Sequence, residues 1–88
     1  MIKQEVEIIN RLGLHARPAA LLVKTASQFE AEIFFKKADL EVNGKSIMGV
    51  MMLAAEKGSI ITVTADGKDE KEALAAIIKV FETKFGEE

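Results

Sequence analysis

The sequence predicts an α+β fold in which an antiparallel sheet carries helices on one face and leaves the other to solvent. Four short segments alternate apolar and polar residues with a period of two, and three others place apolar residues at helical spacing. Their order is strand, helix, strand, strand, helix, strand, helix, an arrangement met by a sheet with one buried and one wet face. The 88 residues show no shift of composition, no linker and no repeat, so residues 1–88 are expected to form a single domain around one core.

The first strand is read over residues 2 to 8, where Ile2, Gln4, Val6 and Ile8 alternate with Lys3, Glu5 and Glu7. A glycine-containing loop, residues 10 to 14, leads into a helix expected over residues 16 to 28, with Ala16, Ala19, Ala20, Val23 and Ala26 at helical spacing. Pro18 fits its first turn, where amides have no internal partner. Ala31, Ile33 and Phe35 mark the second strand and Leu40 with Val42 the third, joined as a hairpin by a turn at residues 37 to 39. Ser46 is placed to cap a helix over residues 47 to 53, with Gly58 as a stop beyond it. Ile61, Val63 and Ala65 define the buried face of a fourth strand that ends at Asp66-Gly67. Asp69 and Glu72 have capping-box spacing ahead of a last helix whose stripe is Leu74, Ile77, Ile78, Phe81 and Phe85. Ile60 and Phe34 fall on the faces read as polar, as a register swap in either strand would explain.

Hydrophobic residues make up 49% and charged residues 30% of the chain, the balance of a water-soluble globular protein. The longest apolar run, residues 47 to 55, contains a glycine and is too short to cross a bilayer of about 30 Å, so no membrane insertion is expected. The start has no secretory pattern and there is no cysteine, which points to the cytoplasm. Twelve basic residues against fourteen acidic ones give a formal charge of −2 without a block of like charges, which argues against nucleic acid and for protein partners.

The only histidine, His15, stands where a strand-to-helix connection ends, two residues before Arg17. A helix N-terminus offers free amides and the positive end of the dipole to an anion, worth about 0.3 to 1 kcal/mol, and Arg17 adds a bidentate phosphate partner. Those positive surroundings favour the neutral, nucleophilic imidazole over imidazolium. With Ala16 and Pro18 completing the first turn, the pattern suggests a phosphoryl-carrying histidine. One histidine without cysteines cannot supply the three or four ligands of a metal site, and neither a metal nor a cofactor is expected. No second acid, base or metal constellation accompanies His15, so the protein reads as a stoichiometric substrate and not an enzyme.

Two segments carry a family resemblance: Leu12-Gly13-Leu14-His15-Ala16-Arg17-Pro18-Ala19, and Gly44-Lys45-Ser46-Ile47-Met48-Gly49-Val50-Met51. Together with the length and element order, they resemble the HPr family, the histidine-containing phosphocarriers of the bacterial phosphotransferase system. The resemblance implies an open-faced β-sandwich of a four-stranded antiparallel sheet and three helices. It also implies that Nδ1 of His15 accepts a phosphoryl group from phosphorylated Enzyme I, itself charged by phosphoenolpyruvate, and passes it to a histidine of a IIA component. Arg17 then steadies the phosphate, and a monomer is expected of so transient a relay.

Ser46 carries two readings: a helix cap, and by resemblance a site that an ATP-dependent HPr kinase/phosphorylase modifies to slow acceptance at His15. The second helix holds more apolar residues than one buried stripe can use. Val50 and Leu53 are assigned to the core; Ile47, Met48 and Met51 are assigned, with Ala20 and Lys24 of the first helix, to a docking patch for Enzyme I and IIA components. Two alternatives stay open. One is an NPr-type carrier of the nitrogen-related branch, suggested by Met52, Ala54 and Ala55 followed by Glu56-Lys57-Gly58. The other is a mainly regulatory protein binding a transcriptional regulator, against which His15 itself argues, since related regulatory proteins lack that histidine.

Overall fold

The structure is a computed structural model that describes residues 1–87. Its elements are β1 (Ile2–Glu7), α1 (Ala16–Ala26), β2 (Glu32–Lys37), β3 (Leu40–Asn43), α2 (Ile47–Met52), β4 (Ile60–Asp66) and α3 (Glu70–Glu82), followed by a tight turn at Lys84–Gly86. The strands form one antiparallel sheet in the order β1-β4-β2-β3. The ladder between β1 and β4 runs from Ile2 opposite Ala65 to Glu7 opposite Ile60, so the sheet has one end at the start of β1 and another where β1 hands over to the loop before α1.

Directly paired residues share a face, which sorts the sheet. Ile33 and Phe35 of β2 and Ile61, Val63 and Ala65 of β4 point inward and are buried against the helices with Ile8, Leu22, Val50, Ile77 and Phe81. Lys3, Thr64, Phe34 and Asn43 form a row across the outer face. Phe34 and Ile60 therefore stand on the open face in a regular register, and no register swap is present. Phe34 remains half-buried there, beside a buried Thr64. Gln4 shares the inner face with Ile2 and Val6 but is exposed, because β1 is an edge strand whose single neighbour is β4.

Three local expectations are corrected. The buried side of α1 consists of Pro18, Ala19, Leu22 and Ala26, while Ala16 and Ala20 are exposed and Val23 is half-buried. Burying a whole leucine contributes about 1.5–3 kcal/mol, which outweighs two methyl groups and sets the rotation of the helix. The helix also stops at Ala26, two residues earlier than expected.

The Asp69–Glu72 capping box does not form. Asp69 instead accepts the backbone N–H groups of Glu30 and Ala31 at 2.9 and 2.8 Å, and Glu70 reaches back to the Gly67 N–H at 3.0 Å. Two loop donors that need an acceptor draw the carboxylate away from its own helix.

The third correction concerns Phe85, which lies beyond the end of α3 and not on its last turn. Lys84, Phe85 and Gly86 take positive φ angles of 56°, 56° and 75°, a left-handed run that costs about 1–2 kcal/mol at each non-glycine residue. The buried Phe85 ring offsets that cost, packing edge-on against Phe81 with centroids 5.1 Å apart. The turn folds the chain end back toward the loop that precedes α1.

Candidate functional site

The loop between β1 and α1 is pinned on both sides. Ile8 exchanges backbone hydrogen bonds with the 58–59 segment, donating to the Ser59 carbonyl at 2.9 Å and accepting from the Gly58 N–H at 2.8 Å. Leu14 donates to the Ala55 carbonyl at 2.9 Å. Between these clamps, Gly13 has a φ of +70°, and a Cβ there would collide with the Ala55 carbonyl oxygen, so only glycine lets the two segments approach. Asn10 is fully buried, and its Nδ2 donates to the Gly13 carbonyl at 2.9 Å.

This frame delivers His15 as the N-cap of α1 in an extended conformation. Its carbonyl accepts the Ala19 N–H at 3.0 Å, but its side chain makes no capping bond. The ring, 37% exposed, therefore keeps its nitrogens for other partners. Ala16 and Arg17, at the first two helical positions, have N–H groups with no intrahelical acceptor, and Pro18 at the third has no N–H to satisfy. An anion beside His15 would thus meet two free amides, the positive end of the helix dipole and the exposed Arg17 guanidinium.

An open cleft of about 660 Å³ adjoins this turn, lined in part by Arg11, Arg17, Lys57 and Lys84. One carboxylate enters it, that of Glu87. Glu87 Oε2 lies 2.9 Å from His15 Nε2, and its Oε1 accepts from Asn10 Nδ2 at 3.0 Å. Asn10 and Glu87 are the parts of the site that the sequence reading missed. Asn10 carried only the signal of a loop residue, and an acidic residue 72 positions beyond His15 carried none.

Ser46 caps α2, its Oγ accepting the Gly49 N–H at 3.1 Å. Val50 and Leu53 are buried, whereas Ile47, Met48, Met51 and Met52 are exposed, Met48 at 77%. Ala20 and Lys24 are exposed on α1, which packs directly on α2. The segment after α2 bonds the histidine loop through Ala55, so the late turn of α2 lies toward His15 and Ser46 opens the helix about 9 Å away along its axis. Among the described residues, no group of three or more His, Cys, Asp or Glu side chains could hold a metal ion, and no helix is long and apolar enough to cross a membrane.

An open antiparallel sheet under three helices, with a half-exposed histidine opening the first of them beside an arginine, defines a class of small histidine phosphocarriers. The family model described as the PTS HPr component phosphorylation site matches residues 2–83. Over 87 residues the chain is 54% identical to the phosphocarrier protein HPr of Neisseria meningitidis, covering 99% of this chain and 98% of the relative. It is 49% identical over 82 residues to the HPr-like protein Crh of Halalkalibacterium halodurans, covering 93% and 98%. The crystal structure of HPr-C-His from Thermoanaerobacter tengcongensis superposes with a TM-score of 0.96 at 49% identity, over 100% of this chain and 99% of that one. The chain belongs to the HPr phosphocarrier family.

Proposed function

We propose that the protein is a cytoplasmic relay of the phosphoenolpyruvate-dependent phosphotransferase system, taking a phosphoryl group from phosphorylated Enzyme I onto His15 and passing it to IIA components for sugar uptake. The observation that carries this reading is a ring left free of capping duty at the mouth of α1, beside two unsatisfied amides and Arg17. Phosphoryl transfer through a loose, in-line transition state asks for positioning and charge stabilisation more than for covalent machinery. The amides of Ala16 and Arg17 can hold the equatorial oxygens, and the Arg17 guanidinium can follow the group as charge shifts onto it. A single arginine binds the group without trapping it, as a carrier that must give its cargo away requires. The protein is consumed and regenerated in each transfer; it turns over no substrate of its own.

The exposed Ile47, Met48 and Met51, flanked by Ala20 and Lys24, form the docking patch in this proposal. Flexible thioether side chains repack against different partners, as a carrier shared between Enzyme I and several IIA components requires. Phosphorylation of Ser46 by an HPr kinase/phosphorylase would place a dianion at the start of α2, where the helix tolerates it, and would repel an acidic partner from that patch.

The test is incubation with phosphoenolpyruvate and purified Enzyme I, followed by mass spectrometry. One phosphate that sits on His15 and is lost in mild acid supports the relay; no incorporation, or acid-stable phosphate elsewhere, overturns it.

A further inference from the structure

Beyond accepting the group, His15 has to present one particular nitrogen to it, and the chain end is folded to decide which. Glu87 is part-buried and lies 2.9 Å from His15 Nε2. An ionised carboxylate can only accept, so Nε2 is the nitrogen that carries the proton. Nδ1 has no partner among the described residues and keeps its lone pair. The second oxygen of Glu87 is held at 3.0 Å by Nδ2 of the fully buried Asn10, which also grips the Gly13 carbonyl and so belongs to the histidine loop itself. The run of positive φ angles at Lys84, Phe85 and Gly86, anchored by the buried Phe85, is what turns Glu87 back to this point. A strained turn and a buried amide both serve one contact.

We propose that Glu87, held by Asn10, is a positioning residue for phosphoryl transfer: it fixes His15 as the Nε2–H tautomer with Nδ1 open to phosphorus, and balances the charge the ring acquires. The inference rests on the relay reading above. As the Nδ1 lone pair forms the new N–P bond, the bond between phosphorus and the donor nitrogen breaks and its electron pair returns to the donor. No proton leaves His15. A ring protonated at Nε2 and phosphorylated at Nδ1 is formally cationic, and the Glu87 carboxylate faces that charge as it develops. The same contact moderates onward transfer, because it stabilises the phosphorylated carrier relative to a neutral ring.

The experiment compares the parent protein with Glu87→Ala and Glu87→Gln. Nitrogen-15 NMR of the ring is recorded above about pH 8, where an ordinary imidazole is neutral. Rapid-quench phosphorylation by Enzyme I and phosphoenolpyruvate gives the transfer rate. The parent should show the proton on Nε2 with a protected, downfield resonance; Glu87→Ala should lose that protection and accept phosphate about tenfold more slowly, the equivalent of one charge-assisted hydrogen bond. Glu87→Gln keeps an acceptor without the charge, so it should retain the tautomer and lose an intermediate part of the rate. It also serves if the alanine variant fails to fold. A parent ring protonated at Nδ1, or variants that transfer at the parent rate, would overturn the proposal. If the parent takes up no phosphate at all, the relay reading fails, while the NMR arm still judges the Glu87 contact.

Discussion

The two ends of the sheet are built on opposite principles. At the end where β1 begins, charges close loops: the Met1 ammonium lies 3.1 Å from Glu70, Glu70 takes the Gly67 N–H, and Asp69 takes two N–H groups from the 30–31 segment. At the other end, polar groups are left over. The first two amides of α1 have no intrahelical acceptor, His15 does not cap its own helix, and buried Asn10 has an Oδ1 with no hydrogen-bond partner. A strained turn and a row of exposed methionines complete that end. The contrast teaches that stability and transfer occupy separate ends of the same ladder. Substitutions at the two ends should therefore separate melting temperature from phosphoryl acceptance.

His15→Ala has the largest expected effect at the functional end. It should abolish acid-labile phosphorylation while leaving the melting temperature close to that of the parent, because the half-exposed ring makes no helix cap. Phosphate that still enters the variant would break the comparison. Arg17→Ala comes next: the exposed guanidinium contributes little to folding, but losing a charge-assisted contact to the moving group should slow transfer about tenfold or more. A rate unchanged in single-turnover measurements would remove Arg17 from the site.

Gly13→Ala tests the boundary between the two roles. A methyl group at a φ of +70° and against the Ala55 carbonyl should cost about 1–3 kcal/mol in chemical denaturation. It should also displace the loop that delivers His15, so transfer falls with stability at this position alone. Ser46→Ala is milder, removing one capping bond at the opening of α2 for about 0.5–2 kcal/mol. Its transfer rate from Enzyme I should remain near that of the parent, and a large loss would mean that the hydroxyl itself contacts the partner.

Much of this division was legible in the sequence. Periodicity disclosed all four strands and all three helices, because the pattern of burial repeats within each element. The His15 turn was legible because histidine, arginine and proline lie within four residues of each other. The Ser46 cap was legible for the same local reason. What escaped depends on residues far apart in the chain. The carboxylate of Asp69 was assigned to its own helix by spacing, yet it serves a loop 38 and 39 positions earlier. Glu87 reaches His15 only because a left-handed turn reverses the chain after α3, and lysine and phenylalanine give no hint of positive φ. Rotation of α1 was misjudged because spacing alone does not weigh Leu22 against the alanines.

The smallest expected effect concerns acid, and it belongs to the structural end. Hydrogen bonds from Glu30, then Ala31, hold the Asp69 carboxyl below its ordinary value of 3.8. The Gly67 N–H, then the N-terminal amine, hold Glu70 below 4.5. A carboxyl whose pKa is lower in the folded than in the unfolded chain stabilises the fold above the unfolded value, and that contribution is lost as pH falls through the folded value. The melting temperature should hold down to about pH 5 and decline below about pH 4. The Met1 ammonium has the opposite sign: Glu70 raises it above 8.0, so its contribution is present below that pH and fades as pH rises through the raised value. Asp69→Asn should flatten the acid limb of melting temperature against pH without altering phosphoryl acceptance at neutral pH, since nothing it bonds lies in the histidine loop. An acid limb as steep as the parent's would move the acid sensitivity away from Asp69, and a slowed transfer would show that the two ends of the ladder are coupled after all.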